Sequence, residues 1–485
     1  MKAISILGCS SGAGKSWVTT ALGAWLHEQG VRVAPFKAQN MSNNAWVTLD
    51  GGEIGRAQAV QAEACGLVPT VEMNPILLKP SGQLGSQLVV LGKAQGHCTG
   101  ARYYERFDSL WSTVRQVLDG WRDRCDVLLM EGAGSPVELN LLHRDLVNLR
   151  PCHYTNGKWL LVGDIDRGGI FAQLAGTWAL LSSADRARSL GAIVNRFRGN
   201  LALFEEPQRW LSPYAPGLEI LGTLSFRPDL QPEEEDGMAE SDRIRGEGAM
   251  IAWIQFPQVS NLTDCQPWWQ DAGIQVRWVT RPRELTDARA IVLPGSKNTL
   301  SDLSWLRETG LAEAIIGAAQ RGTLVIGVCG GYQMLGERLT DELGDAGDQG
   351  SVEGLGLLPA ETVFGRTKTL RQVVCLEGLA ESPAYEIHMG DTRPTGPVDV
   401  LHRVRDAAGE RPEGARRGNV WGTYLHGWFD SPAVRRRVTA AAGITEHEPA
   451  ARTWSEQRRQ TYQAMAAHLA DSVDLQPLRG YLSLA

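Results

Sequence analysis

The sequence predicts an α/β protein built on two doubly wound, mostly parallel sheets. Three observations carry that prediction. The short run Ala3-Ile4-Ser5-Ile6-Leu7 leads directly into a glycine-rich turn and then a helical stretch through Leu26. Strand-like runs of the same kind alternate with helical stretches down the N-terminal half. The same order returns at Leu324-Val325-Ile326, the turn Gly327-Val328-Cys329-Gly330-Gly331, and Tyr332-Gln333-Met334-Leu335-Gly336. Short β-branched runs bounded by glycine suit strands covered on both faces, the setting of a parallel sheet.

At 485 residues there is room for roughly two to four domains. Charged residues at 21% and apolar residues at 43% are ordinary for a soluble globular chain. A net charge of -7 argues against nucleic acid as a partner, yet leaves a polyanionic small molecule open, because local basic clusters set a site's field. The eight cysteines show no metal-ligand spacing, so neither a structural zinc site nor a disulfide framework is expected. Met1-Lys2 runs straight into the first strand and no apolar run reaches membrane-spanning length. The expectation is a cytoplasmic protein with no membrane partner; the oligomeric state is not legible.

The acidic tract from Gln231 to Asp242 reads as a linker. Expected boundaries are a nucleotide-binding domain at 1–230, the linker at 231–247, a second α/β domain at 248–440 and a helical extension at 441–485. In that extension Trp454, Tyr462, Met465, Leu469 and Val473 recur at near-helical spacing, as a packing face requires.

Gly8-Cys9-Ser10-Ser11-Gly12-Ala13-Gly14-Lys15-Ser16 has the chemistry of a phosphate-binding loop. Gly12 and Gly14 let backbone N–H groups wrap phosphate oxygens, Lys15 reaches the β and γ phosphates, and the Ser16 hydroxyl can ligate Mg²⁺. Five residues separate Gly8 from Gly14, where the strict motif has four. A glycine-rich turn without nucleotide is the alternative, and the strand–loop–helix context disfavours it. ATP and Mg²⁺ are therefore the expected cofactors. The strand Asp126–Met130 ends in Glu131 and then Gly132-Ala133-Gly134, which offers Mg²⁺ a carboxylate beside the loop; Glu53 is the candidate for a further acid. On residues alone Lys37 and Lys79 read as solvated lysines, and Asp145 reads equally as a helix cap or a functional acid.

Cys329 sits where a strand turns sharply into a helix, which favours a thiolate nucleophile; a small buried hydrophobe is the alternative. Nearly a hundred residues later, Val420-Trp421-Gly422-Thr423-Tyr424-Leu425-His426-Gly427 delivers a histidine from another strand. Cysteine plus a distant histidine is the minimum for thiolate catalysis.

This pair resembles the class I glutamine amidotransferases, with Trp428 standing where most of that class carry a glutamate two residues after the histidine. The N-terminal loop is similar to that of dethiobiotin synthetase-like enzymes, which use ATP to activate carboxylates. Five segments, Pro35–Met41, Gly55–Ala59, Met73–Pro80, Ser260–Asp264 and Tyr385–His388, resemble the glutamine-hydrolysing cobyric acid synthases, and the likeness runs over essentially the whole chain. It implies ATP- and glutamine-dependent amidation of the b, d, e and g carboxylates of adenosylcobyrinic acid a,c-diamide, through acyl phosphates and ammonia released at Cys329 and His426. Glutamine, ATP and a corrinoid are then the small-molecule partners. The resemblance further implies an oxyanion hole at Gly295 and Gly330, adenine contact at Asn195, substrate or phosphate contact at Lys37, Asn74, Lys79 and Asp145, and a share in holding glutamine or His426 for Glu386 or His388. Asn200 stands where the family usually has aspartate. The alternatives are a cobyrinic acid a,c-diamide synthase or related amidotransferase, and a partitioning-type ATPase whose C-terminal domain only binds.

Overall fold

The computed structural model describes residues 1–80, 85–233, 243–342, 350–378, 380–450 and 452–484. It divides into two compact units, one comprising Met1–Ser42, Gly52–Glu235 and Arg458–Ala485, the other Asn43–Gly51 and Asp236–Gln457. Compactness thus partitions the chain differently from linear boundaries at 230, 247 and 440: a short early segment belongs with the second unit and the C-terminal stretch with the first.

The first unit is centred on a six-stranded parallel sheet in the order Ile220–Ser225, Ser189–Phe197, Lys158–Asp164, Lys2–Gly8, Val127–Glu131, Val33–Phe36. Side chains alternate between its faces. Ala3, Leu7, Leu128 and Met130 enter one apolar cluster, while Ile4, Ile6, Val127 and Leu129 enter the other. Burial on both sides is why these strands read as continuous apolar runs. After the strands on one side are built the chain crosses to the other, so the carboxyl end of Lys2–Gly8 lies where loops diverge and ligands bind in open parallel sheets. Beside it stands a four-stranded sheet of Gln39–Met41, Ile76–Pro80, Ser86–Val90 and Lys93–Cys98.

The helix Trp454–Ser472 buries Arg458, Tyr462, Met465, Ala466 and Leu469, one stripe at helical spacing. These apolar residues join Ile4, Ile6 and Leu22 in the core of the first unit, each fully buried Leu or Met contributing about 1.5–3 kcal/mol. Behind the helix, Val473 bridges Gly222, where a Cβ would meet Ser472 O at 2.1 Å, so only glycine allows the approach.

The second unit has five parallel strands at its centre: Ile274–Val279, Ala249–Ile254, Ala290–Leu293, Leu324–Val328 and Val420–Thr423. The sheet continues past Val420–Thr423 into antiparallel strands, among them the long pair Ala360–Glu377 and Ala380–Pro394. The linker expected at 231–247 falls largely on residues 234–242, which lie outside the described residues. On its near side Glu233 is buried in ion pairs with Arg56 and Arg458, and on its far side Ile244–Gly246 already forms an antiparallel edge strand.

Candidate active sites

In the first unit the loop after Lys2–Gly8 wraps back on itself. Gly14 caps the helix Lys15–Glu28 at φ 96°, and a Cβ there would sit 1.9 Å from the Asn195 amide nitrogen. The Asn195 side chain donates to Ala13 O at 3.0 Å, placing it against the loop beside a small cavity bounded by Trp17, Arg196, Phe226 and Arg227. Lys15 is buried and its ammonium donates to Ser10 O (2.9 Å) and Gly134 O (3.0 Å). Burial, partly opposed by Glu131 and reinforced by Lys37, lowers its pKa to about 8; an incoming phosphate would restore the charge. At Gly12 a Cβ would meet the Arg167 guanidinium at 3.2 Å, which adds a cation over the loop.

Glu131 is fully buried and accepts from Ser16 Oγ (2.9 Å), Lys37 Nζ (2.8 Å) and Gln61. Burial alone would raise its pKa, but Lys37, Gln61 and Lys15 hold it below the ordinary carboxylate value. The two predicted metal residues Ser16 and Glu131 are therefore together. They fit Mg²⁺, which takes one or two protein oxygens and completes its shell with phosphate and water. Among the described residues no group of three or more His, Cys, Asp or Glu forms a metal cage. Glu53, the further acid expected for the metal, is buried in an ion pair with Lys79, as Glu131 is with Lys37.

Lys37 and Lys79 are not solvated: both are buried and paired, with Glu131 and Glu53. Asn74 is buried too, its amide donating to Lys37 O and Ile76 O and its oxygen accepting from Gly55 N–H. These bonds tie it to the Lys37 backbone. Asp145 accepts from the N–H groups of Val147, Asn148, Leu149 and Arg150, the capping reading of this residue. That cap fixes Asn148, which grips Ala133 through both amide atoms and so shapes the turn after Glu131.

In the second unit the strand Leu324–Val328 ends at Cys329, which has φ 52° and ψ -110° and caps the helix Gly330–Leu335. A non-glycine residue in so sparsely populated a conformation is held there by its surroundings: its N–H donates to Thr423 O at 2.8 Å, and its thiol points to Ile387 O at 3.5 Å. Thr423 lies three residues before His426, so the two strands deliver thiol and imidazole to one place. Gly295 and Gly330 border it. A Cβ on Gly295 would meet His426 Cε1 at 3.1 Å, and one on Gly330 would meet Ser296 N at 2.9 Å.

The residue that orients His426 is Asp264. His426 Nδ1 is 2.7 Å from Asp264 Oδ2, while Asp264 Oδ1 accepts the Gly427 N–H at 2.9 Å. The imidazole is wholly buried and the carboxylate nearly so. Burial would lower the imidazole pKa, but Asp264 outweighs it and, with a further contribution from Cys329, raises it to about 10. His426 Nε2 is buried with no geometric hydrogen-bond partner among the described residues, leaving it available to the thiol and to an incoming amide.

The two residues expected to help hold glutamine or His426 are each engaged by other groups. Glu386 is held by Arg411 (2.6 Å) and Arg371 (3.3 Å). His388 stacks on Tyr424 at 3.7 Å, hydrogen bonds Gly390 O and is pushed by burial to a pKa of about 4. Trp428, at the usual glutamate position, is fully buried near His402, itself paired with Glu413. Asp264 escaped notice because it lies 162 residues before the histidine, in a 3-10 segment, Leu262–Gln270, that has no strand or helix period. The signal that could have found it is an acid inside the Ser260–Asp264 segment.

A phosphate-binding loop on one parallel sheet and a Cys–His–Asp group on another define the class: an ATP-dependent glutamine amidotransferase. Residues 4–239 match the CobQ/CobB/MinD/ParA nucleotide binding domain and residues 250–434 the CobB/CobQ-like glutamine amidotransferase domain. The chain is 46% identical over 449 residues to a cobyric acid synthase of Roseiflexus castenholzii, covering 89% of this chain and 90% of that one. A cobyric acid synthase of Synechocystis is 39% identical over 489 residues, covering 99% and 98%. The chain belongs to the cobyric acid synthase family, glutamine-hydrolysing ligases.

Proposed function

We propose that the chain converts adenosylcobyrinic acid a,c-diamide to adenosylcobyric acid by amidating carboxylates b, d, e and g, with the two units dividing the work. The observation that carries this reading is the buried Asp264–His426 pair beside the strained Cys329 turn, in a chain that also holds Lys15, Ser16 and Glu131 together. In the second unit the Cys329 sulfur attacks the glutamine amide carbon. The carbon–nitrogen bond breaks as His426 Nε2 gives its proton to the leaving nitrogen, and ammonia departs. Asp264 keeps the imidazole in the orientation and tautomer that this proton transfer needs. Backbone N–H groups at Gly295 and Gly330 receive the oxyanion, and water then cleaves the thioester to glutamate.

In the first unit a carboxylate oxygen of the corrinoid attacks the γ-phosphorus of ATP, whose adenine is read by Asn195, and the bond from that phosphorus to the β–γ bridging oxygen breaks to release ADP. Mg²⁺, when bound at Ser16 and Glu131, supplies charge neutralisation to the transferring phosphoryl group. Lys15 and Arg167 face the same group. Ammonia displaces phosphate from the acyl phosphate and leaves the amide. A cavity of about 140 Å³ beside the Ala133–Ser135 turn, lined by Gln39, Tyr104 and Arg144 among others, supports acceptor entry there, since Gly134 O in that turn also holds Lys15. Arg144 stacks over Tyr104 at 4.5 Å and offers a carboxylate a planar cation.

The test is Cys329→Ala assayed with each nitrogen source. Glutamine-dependent product should vanish while ammonia-dependent product persists; loss of both would contradict the division of labour.

A further inference from the structure

Residues Asn43–Gly51 follow the strand Gln39–Met41 early in the chain, yet they fold into the second unit. Ala45 and Val47 share an apolar cluster with Tyr385 and Ile387, and Gln372 Nε2 donates to Val47 O at 2.6 Å. Trp46 lies with its ring centroid 4.6 Å from that of Tyr385. Tyr385 in turn stacks on the His426 imidazole, 5.3 Å away at 28°, and faces it in antiparallel register. On the other side Asn44 Oδ1 accepts the Asn261 N–H at 2.8 Å. Asn261, at φ 54°, begins the Leu262–Gln270 segment that carries Asp264.

We propose that Asn43–Gly51 is a positioning strap for the glutaminase histidine. Trp46 holds Tyr385 against the imidazole face, and Asn44 holds the start of the segment that brings the carboxylate to Nδ1. The inference rests on His426 being the proton carrier of the glutamine reaction. Its physical basis is that an imidazole needs two restraints, one on ring plane and one on ring nitrogen, to keep Nε2 on line with the thiol. Loss of either lets the ring swing, and a displacement of roughly 1 Å costs up to about a hundredfold in rate. The strap lies outside the 250–434 amidotransferase match, so the second unit's site is completed by residues from the other end of the chain.

The experiment is Trp46→Ala in the full chain. Glutamine-dependent kcat is expected to fall roughly ten- to a hundredfold with a smaller change in the glutamine KM, while ammonia-dependent amidation is retained and Trp46→Phe recovers most of the loss. Asn44→Ala should draw the alkaline limb of the glutaminase pH profile toward neutrality, because Asp264 then holds the imidazolium less well. Wild-type glutamine-dependent kcat in both alanine variants overturns the strap. So does equal loss of glutamine- and ammonia-dependent activity, which marks a general folding element. Glutaminase activity surviving in Cys329→Ala would instead refute the catalytic reading; a dead Cys329→Ala beside unaffected Trp46→Ala and Asn44→Ala refutes the strap alone.

Discussion

Asparagine at position 264 keeps the shape of the side chain and removes its charge. In the native site Asp264, with a smaller contribution from Cys329, outweighs burial and holds the His426 imidazolium from its ordinary 6.5 up to about 10. Below pH 9 or so the native imidazole therefore keeps its proton, and the proton is lost as pH rises through about 10. With asparagine the Asp264 charge is gone while burial and the smaller contribution of Cys329 remain, so the folded-state pKa should fall well below its native value. A larger share of molecules at neutral pH would then lack the proton that the leaving ammonia must receive, and the amide could also select the wrong tautomer. Glutaminase kcat should fall by between about 10² and 10⁴. Glutamate release measured from about pH 6 to pH 10 should show the alkaline limb displaced toward neutrality, with ammonia-dependent amidation intact. An unchanged kcat with an unchanged alkaline limb would refute the role given to Asp264.

Lys15→Ala should abolish amidation with either nitrogen source, since it removes the charge that faces the phosphoryl group; product formation at the normal rate would remove Lys15 from the mechanism. Arg144→Gln should raise the corrinoid KM by roughly tenfold, the scale of one charge-assisted contact, and leave the ATP KM and glutaminase rate unmoved. Equal shifts in the ATP and corrinoid KM values would contradict the acceptor assignment. Asp302 is buried, holds Ser296 Oγ (2.5 Å) and Gln258 N–H (3.1 Å), and is raised by burial from 3.8 to about 6. Because its folded-state pKa is the higher one, this group's stabilising contribution is complete below 3.8 and lost as pH rises through about 6. Thermal unfolding of Asp302→Asn should lack that part of the pH dependence; a melting curve that tracks wild type across this range would show that the carboxylate does not titrate as described.

The two chemical centres were legible because each is a local event. Gly12, Gly14, Lys15 and Ser16 follow one strand without a break, and Cys329 and His426 each sit at the end of a short apolar run, so residue order alone places them at the mouths of parallel sheets. Glu131 could be read for the same reason. The partners of these groups could not. Asp264 meets His426 across 162 positions, Lys37 meets Glu131 across 94, and Arg167 reaches Gly12 from another loop. Such pairings carry no periodic or short-range mark. Burial was equally hidden, since lysine reads as solvated until a carboxylate such as Glu131 or Glu53 is packed against it. Sequence thus determined which groups can do chemistry, because strand, turn and helix are dictated by neighbours. Only tertiary packing decided which charge faces which, because electrostatics acts across space and ignores distance along the chain.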